Sequence, residues 1–399
     1  MRGLRASNMG TVVAVSLRKF GRGFFKLVCW LSVLISTGTM SAEAQTTYRA
    51  RVLPLPSGYE VFPVRIHPEG WYGLGIYRGR CVVNLYNPST YEIRPALYTG
   101  SGWFFFSSSC FDAIFGTNMW GDNSLTCGFG MSPHCGCNDY SPHALLLHPH
   151  TVDLHPCGVG ACDGEITAYV YSAALRVRGN LQVGYAHKDI CTKYRAMLWF
   201  SSAASYIDLH PSDDYEESKA LGLSQDGRIQ VGYIRDVVPF QAEYIKATLW
   251  YSSPTNFRFL PPDSLKSIAF NAWNRDIVGC IAIELPDTYH AILWKDDGMN
   301  FIDLHPSHMG FSSSVALSVA NNTQVGYAVT PEGAYKAIRW LGTPTSAMDL
   351  NNFLPSQYRL WNAVAVEIDP QGNIIGYIWT GNIYKVVIWT PLATIPIAE

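Results

Sequence analysis

This sequence predicts an all-β chain built from a repeated unit. Three observations carry that reading: a short phrase recurs at near-constant spacing, each unit holds four strand-like segments, and the two ends of the repeated region complement each other.

The phrase is a basic residue followed by Ala-x-x-Trp. It occurs at residues 195–199 (RAMLW), 246–250 (KATLW), 290–294 (HAILW) and 336–340 (KAIRW), with variants at 143–147 (HALLL) and 385–389 (KVVIW). From residue 143 onward the starts lie 52, 51, 44, 46 and 49 residues apart, and residues 81–85 (CVVNL) read as a degenerate earlier copy.

Three more phrases follow in fixed order. Asp-Leu-His-Pro stands at 153–156, 208–211 and 303–306, altered at 259–262 and 349–352. A Ser/Ala-rich apolar stretch stands at 172–177, 218–224, 267–273 and 314–320. Gln-Val-Gly-Tyr stands at 182–185, 230–233 and 324–327, altered at 277–280 and 374–377. Each phrase is short, rich in β-branched and aromatic residues, and bounded by Gly, Pro, Asn, Asp or Ser, the signature of a strand between turns. Asp226-Gly227, Asn321-Asn322 and Gln371-Gly372 sit where a tight hairpin turn is needed.

Four strands per 44–52 residues match one blade of a β-propeller. The chain finishes with a lone Ala-x-x-Trp-type strand at 385–389. Residues 52–58 (VLPLPSG) align with the Asp-Leu-His-Pro phrase, and 71–77 (WYGLGIY) read as a last strand. A ring that shares one blade between its termini has this arrangement and leaves no exposed edge. Counting that shared blade with units starting near 81, 143, 195, 246, 290 and 336 gives seven.

The first 44 residues read separately, as a secretory signal peptide. Arg18, Lys19, Arg22 and Lys26 precede an apolar run at 27–36, and Ala42 and Ala44 offer the small residues of a cleavage site. The expected mature chain, 45–399, is a single propeller domain, secreted, extracellular or periplasmic, with no membrane span after cleavage. It carries 23 Lys+Arg against 30 Asp+Glu, a net charge of −7. An acidic chain without a basic cluster is a poor match for nucleic acid or an anionic membrane.

The order of Ala-x-x-Trp, Asp-Leu-His-Pro, Ser-x-Ala and Gln-Val-Gly-Tyr resembles the extracellular HAF-repeat family of bacterial proteins, well over residues 143–389 and poorly before them. The resemblance implies export and a repeated β architecture, and brings no catalytic residues.

Repetition governs the reading of individual side chains. His155, His210 and His305 recur once per unit, whereas a catalytic group is needed once. With their aspartates they read as caps on backbone groups at a blade turn. Trp199, Trp250, Trp294, Trp340 and Trp389 read as core wedges between sheets. Gly184, Gly232 and Gly326 read as places of close backbone approach.

Export favours paired cysteines, and Cys127, Cys135, Cys137, Cys157, Cys162 and Cys191 are candidates for disulfides clustered in 65 residues. Cys81 and Cys280 fit as buried small hydrophobes. Cys135 and Cys137, with His134, His143, His148 and His150, raise a zinc site, but Cys-x-Cys spacing favours disulfides over structural zinc, and no metal is assigned. The acidic run 213–217 lacks the glycine and glutamate placement of a calcium loop.

No G-x-S-x-G, H-E-x-x-H or phosphate-binding glycine loop occurs, and no catalytic residue or cofactor is assigned. An aromatic content of 13% suits a binding or scaffold protein for a glycan or protein ligand, expected to be monomeric. The alternatives are a glycan hydrolase or lyase, for which Glu165 and Glu284 stand outside the repeated phrases, and a structural surface or matrix component.

Overall fold

The computed structural model describes residues 47–66, 70–109, 111–133, 142–148, 150–156, 169–188, 193–236, 244–263, 266–284 and 288–392. The compact unit is Thr46–Glu399; the expected signal peptide lies outside the described residues.

Among the described residues, seven antiparallel sheets of four or more strands form the blades of a ring, a seven-bladed β-propeller. The third blade shows the pattern: inner strand Tyr169–Arg178, second strand Leu181–Lys188, third strand Lys193–Ser202 and outer strand Ser205–Asp208. The Ser/Ala-rich phrase is therefore the inner strand, Gln-Val-Gly-Tyr the second, Ala-x-x-Trp the third, and Asp-Leu-His-Pro leaves the outer strand. Inner strands of successive blades touch one another around the ring.

The seventh blade closes the ring as the complementary ends predict. Asn362–Ile368, Ile374–Thr380 and Ile383–Pro391 supply three strands, and Tyr48–Val52 pairs as the outer strand against Ile383–Pro391. Leu53 takes the leucine position of Asp-Leu-His-Pro: its N–H donates to the Val386 carbonyl at 2.9 Å, as Leu154, Leu209, Leu260 and Leu304 donate to Ala144, Ala196, Ala247 and Ala291.

Two features explain the phrases. In the second to seventh blades the inner strand carries a β-bulge, so that two of its residues oppose one on the second strand. The bulge drives an inner-strand carbonyl over the second strand. A Cβ at Gly184, Gly232 or Gly326 would run into the carbonyl of Ala173, Lys219 or Val315, and Gly128, Gly279 and Gly376 meet the same obstacle. The glycine of Gln-Val-Gly-Tyr is thus the partner of the bulge. The five repeat tryptophans are fully buried between blades, and Trp389 Nε1 donates to the Leu350 carbonyl of the neighbouring blade at 3.0 Å. Cys81 and Cys280 are buried core residues, as read from the sequence.

The first blade departs from the expected phase. Residues 81–85 lie in its second strand, Arg80–Asn87, and are not a copy of Ala-x-x-Trp. Glu92–Tyr98 is the third strand, and there the Pro95 carbonyl accepts from Phe106 N–H at 3.0 Å in the place of the repeat alanine. Residues 71–77 are not a last strand either: Gly70–Tyr72 pairs with Val64–Ile66 in a side hairpin, and Leu74–Tyr77 belongs to the inner edge. The physical reason is that the pairing of Leu74–Tyr77 with Arg80–Asn87 carries no bulge. It needs no glycine, so the phrase that marks the second strand elsewhere is missing. The count of seven survives because Glu92–Tyr98 supplies the missing third strand.

Candidate functional site

The repeated polar residues resolve into a staple between blades. Asp153, Asp208 and Asp303 each accept, through Oδ1, the backbone N–H of the histidine two residues on, at 2.8, 2.9 and 2.8 Å. His155, His210 and His305 each bring Nδ1 to the hydroxyl of an inner-strand serine of the next blade, Ser172, Ser218 and Ser314, at 2.9, 2.8 and 2.9 Å. Each serine Oγ accepts the N–H of Ala144, Ala196 or Ala291, at 2.9, 2.9 and 3.0 Å. The second aspartate oxygen takes the basic residue of the repeat phrase: His143, Arg195 and His290 at 2.8, 2.9 and 2.8 Å. All three staple histidines are buried. These residues tie backbone groups at three equivalent junctions.

Cys127 departs from the disulfide expectation. Its thiol is free and fully enclosed on the second strand of the second blade, 3.4 Å from Thr117 Oγ1, and burial pushes it up to about 12. Its side chain packs with Ala144, Leu146, Ala174 and Trp199 in the interior. Cys135, Cys137, Cys157, Cys162 and Cys191 lie outside the described residues, as do His134 and Glu165. Glu284 ends the second strand of the fifth blade. Among the described residues, no group of three His, Cys, Asp or Glu side chains could hold a metal ion.

The acidic run 213–217 is not simply solvated. Asp213 pairs with Arg195, Glu216 lies 3.6 Å from Arg235, and Glu217 is buried.

Glu217 leads to the site. The fourth blade breaks the repeat at one end of the ring, where the second-to-third strand connections emerge. At the register of Lys219 the third, fifth, sixth and seventh blades carry Ala173, Ile268, Val315 and Val364; at that of Arg235 they carry His187, Ala282, Val329 and Trp379. Three charged side chains, Glu217, Lys219 and Arg235, thus stand together in the fourth blade. Glu217 accepts from Tyr233 Oη at 2.5 Å, from Arg235 at 3.0 Å, and lies 3.4 Å from Lys219 Nζ.

Aromatic rings of the third blade wall this cluster. Lys219 Nζ lies 4.2 Å from the Tyr194 ring centre and 4.8 Å from that of Tyr185, within cation–π range. Tyr171 stacks on His187 at 5.2 Å and meets Tyr194 edge-on at 5.6 Å. Burial, with a hydrogen bond to Tyr194, pushes the Tyr171 hydroxyl well above the ordinary tyrosine range, so it stays a neutral donor. Further aromatics continue at the same end, with Tyr335 5.3 Å from Tyr327 and 5.4 Å from Trp379. Flat rings around fixed, mutually neutralised charges can stack on a ligand face and orient its polar groups. Sequence reading missed this cluster. The available signal was comparison of the repeats with one another, which isolates Lys219 and Arg235.

No protein-family model and no curated protein sequence matches the chain. Solved structures do. The chain is similar to a puromycin-hydrolyzing peptidase of Mycobacterium tuberculosis, at 11% identity and a TM-score of 0.51, over 88% of this chain and 54% of that one. It is also similar to the β-propeller domain of the Trilobed protease from Pyrococcus furiosus, at 11% identity and a TM-score of 0.39, over 85% of each chain. The chain thus spans about half the length of the peptidase it matches, and at this identity the likeness shows the fold alone.

Proposed function

We propose that this propeller is a recognition module that holds a glycan or peptide ligand over the third and fourth blades. The observation that supports it is the break in the repeat: Lys219 replaces a buried apolar residue and joins Glu217 and Arg235 beneath the rings of Tyr171, Tyr185 and Tyr194. The protein works outside the cytoplasm after removal of its N-terminal segment, as an acidic member of the HAF-repeat type. N-terminal sequencing of exported protein is expected to begin at Gln45, and an intact Met1 on exported protein contradicts this.

Binding is tested with the purified protein against a panel of polysaccharides, peptides and cell-envelope fractions. Saturable binding is expected, with affinity falling at least about tenfold in Lys219→Met while the thermal midpoint moves little. Glu217 keeps Arg235 and Tyr233 as partners in that variant. Equal binding by the variant removes the site from the reading. Product analysis of each bound polymer tests the alternative of a hydrolase or lyase on the propeller scaffold, and concentration-dependent sedimentation tests a self-associating matrix component.

A further inference from the structure

The histidine staples do more than tie backbone groups, because each has a basic side chain of the repeat phrase beside it. His210 has Arg195 and Lys193 near it, with Asp208 and Asp213 as counter-charges. His305 stacks on His290, ring centres 3.9 Å apart and interplanar angle 7°, with Asp303, Ser314 and the Phe311 carbonyl as its other polar neighbours. His155 stacks on His143 at 4.1 Å and 13°, facing Asp153 and Ser172. The stacked partner in the second and fifth blades is itself hydrogen-bonded to an aspartate, at 2.8 Å in both.

The hydrogen bonds also suit a neutral staple ring. Each serine Oγ accepts from an alanine N–H, so its own hydrogen is free to be donated to histidine Nδ1. A proton on Nδ1 makes the serine accept on its second lone pair and turn its own hydrogen away from the ring, inside a junction where the serine is fully buried. Two other junctions have no such group. After the fourth blade Pro261 stands in the histidine position. After the sixth, Asn351 does, its N–H donating to Asp349 at 2.8 Å and its Oδ1 accepting from Ala337 N–H at 3.0 Å.

We propose that the staples of His155, His210 and His305 are acid-sensitive latches, so that mild acidification loosens three junctions of the ring, those after the second, third and fifth blades, and spares those after the fourth and sixth. The proton is the ligand. Consistent with this, burial and the neighbouring cation lower His210 to about 4, and burial and His290 lower His305. A histidine lowered in the folded state binds its proton more readily when unfolded. Its stabilisation is complete above about pH 6.5 and is lost as the pH falls from there toward the folded value.

The test is hydrogen exchange of the whole protein at pH 7 and pH 5, corrected for intrinsic rate. Exchange in Tyr169–Arg178, Glu217–Leu223 and Ser313–Ala320, the inner strands that receive the latches, is expected to rise about tenfold more than in Ser267–Trp273 and Asn362–Ile368. The triple variant His155→Asn, His210→Asn, His305→Asn, which copies the side chain at Asn351, is expected to abolish the difference. A uniform rise across all five strands overturns the proposal, as does an unchanged difference in the variant. Should the triple variant fail to fold, His305→Asn alone decides: the acid-induced rise at Ser313–Ala320 must vanish while those at the other two strands remain.

Discussion

Arg176 on the inner strand of the third blade and Glu367 on that of the seventh form an ion pair, with side chains only 7% and 5% exposed. Their blades are not neighbours in the ring. Arg178 approaches the same carboxylate at 3.7 Å, donates to Asn118 Oδ1 at 3.2 Å, and lies 4.2 Å over the Trp120 ring. One buried carboxylate thus serves two buried cations, which makes its removal worse than the removal of either partner.

Glu367→Gln is therefore expected to cost about 3–5 kcal/mol, since it leaves buried arginines uncompensated. Arg176→Met is expected to cost less, roughly 1–3 kcal/mol, because Arg178 remains near Glu367. Urea unfolding of the two variants checks the order, and equal midpoints contradict it.

The bulge and its glycine act as a pair. Gly232→Ala is expected to lose about 3 kcal/mol or more, because the new methyl meets the Lys219 carbonyl on a backbone locked in a ladder. Gly102→Ala, where a Cβ meets nothing within 4 Å, is expected to stay within about 0.5 kcal/mol of the parent. Thermal unfolding of the two proteins side by side measures the contrast.

Burial pushes the Cys127 and Cys280 thiols up to about 12, and Cys81 higher still. Thiolate is the reactive species, so native protein at pH 8 is expected to leave these three positions unlabelled by iodoacetamide. Denatured protein should label all three. Peptide mass mapping reads the result, and rapid native labelling of any of them would contradict the burial.

Residues 383–391 hold the seventh blade between its second strand and the N-terminal strand. Deletion of residues 383–399 removes Trp389 and strands Tyr48–Val52 without a partner. The expected product is aggregated or unfolded, and a soluble truncation with an unchanged thermal midpoint contradicts closure by shared termini.

What the sequence disclosed follows from what repeats. Trp199, the Gly184 phrase and the His155 phrase recur because every junction poses the same packing problem, so the seven blades and their closure were legible. The first blade was misphased because Leu74–Tyr77 pairs without a bulge, and the glycine that anchors the alignment elsewhere is then unnecessary. The Arg176–Glu367 pair was invisible for another reason: it joins residues 191 apart through the middle of the ring, and no local pattern encodes it. The charged cluster lay between these cases. Lys219 sits in an ordinary Ser/Ala-rich stretch, and only its neighbours in other blades, Ala173 and Ile268, mark it as exceptional.

Closure by the N-terminal strand also sets a schedule. Residues 48–52 are made early, yet their partner at 383–391 is made more than 330 residues later. At about 5–20 residues per second the first strand waits roughly 20–70 s before its mate exists. Throughout that interval six blades can stack, but the ring stays an open arc with a bare edge at each end. The nascent ring is thus open to mispairing with another chain until residues 383–391 appear, and that strand turns an adhesive arc into a sealed one.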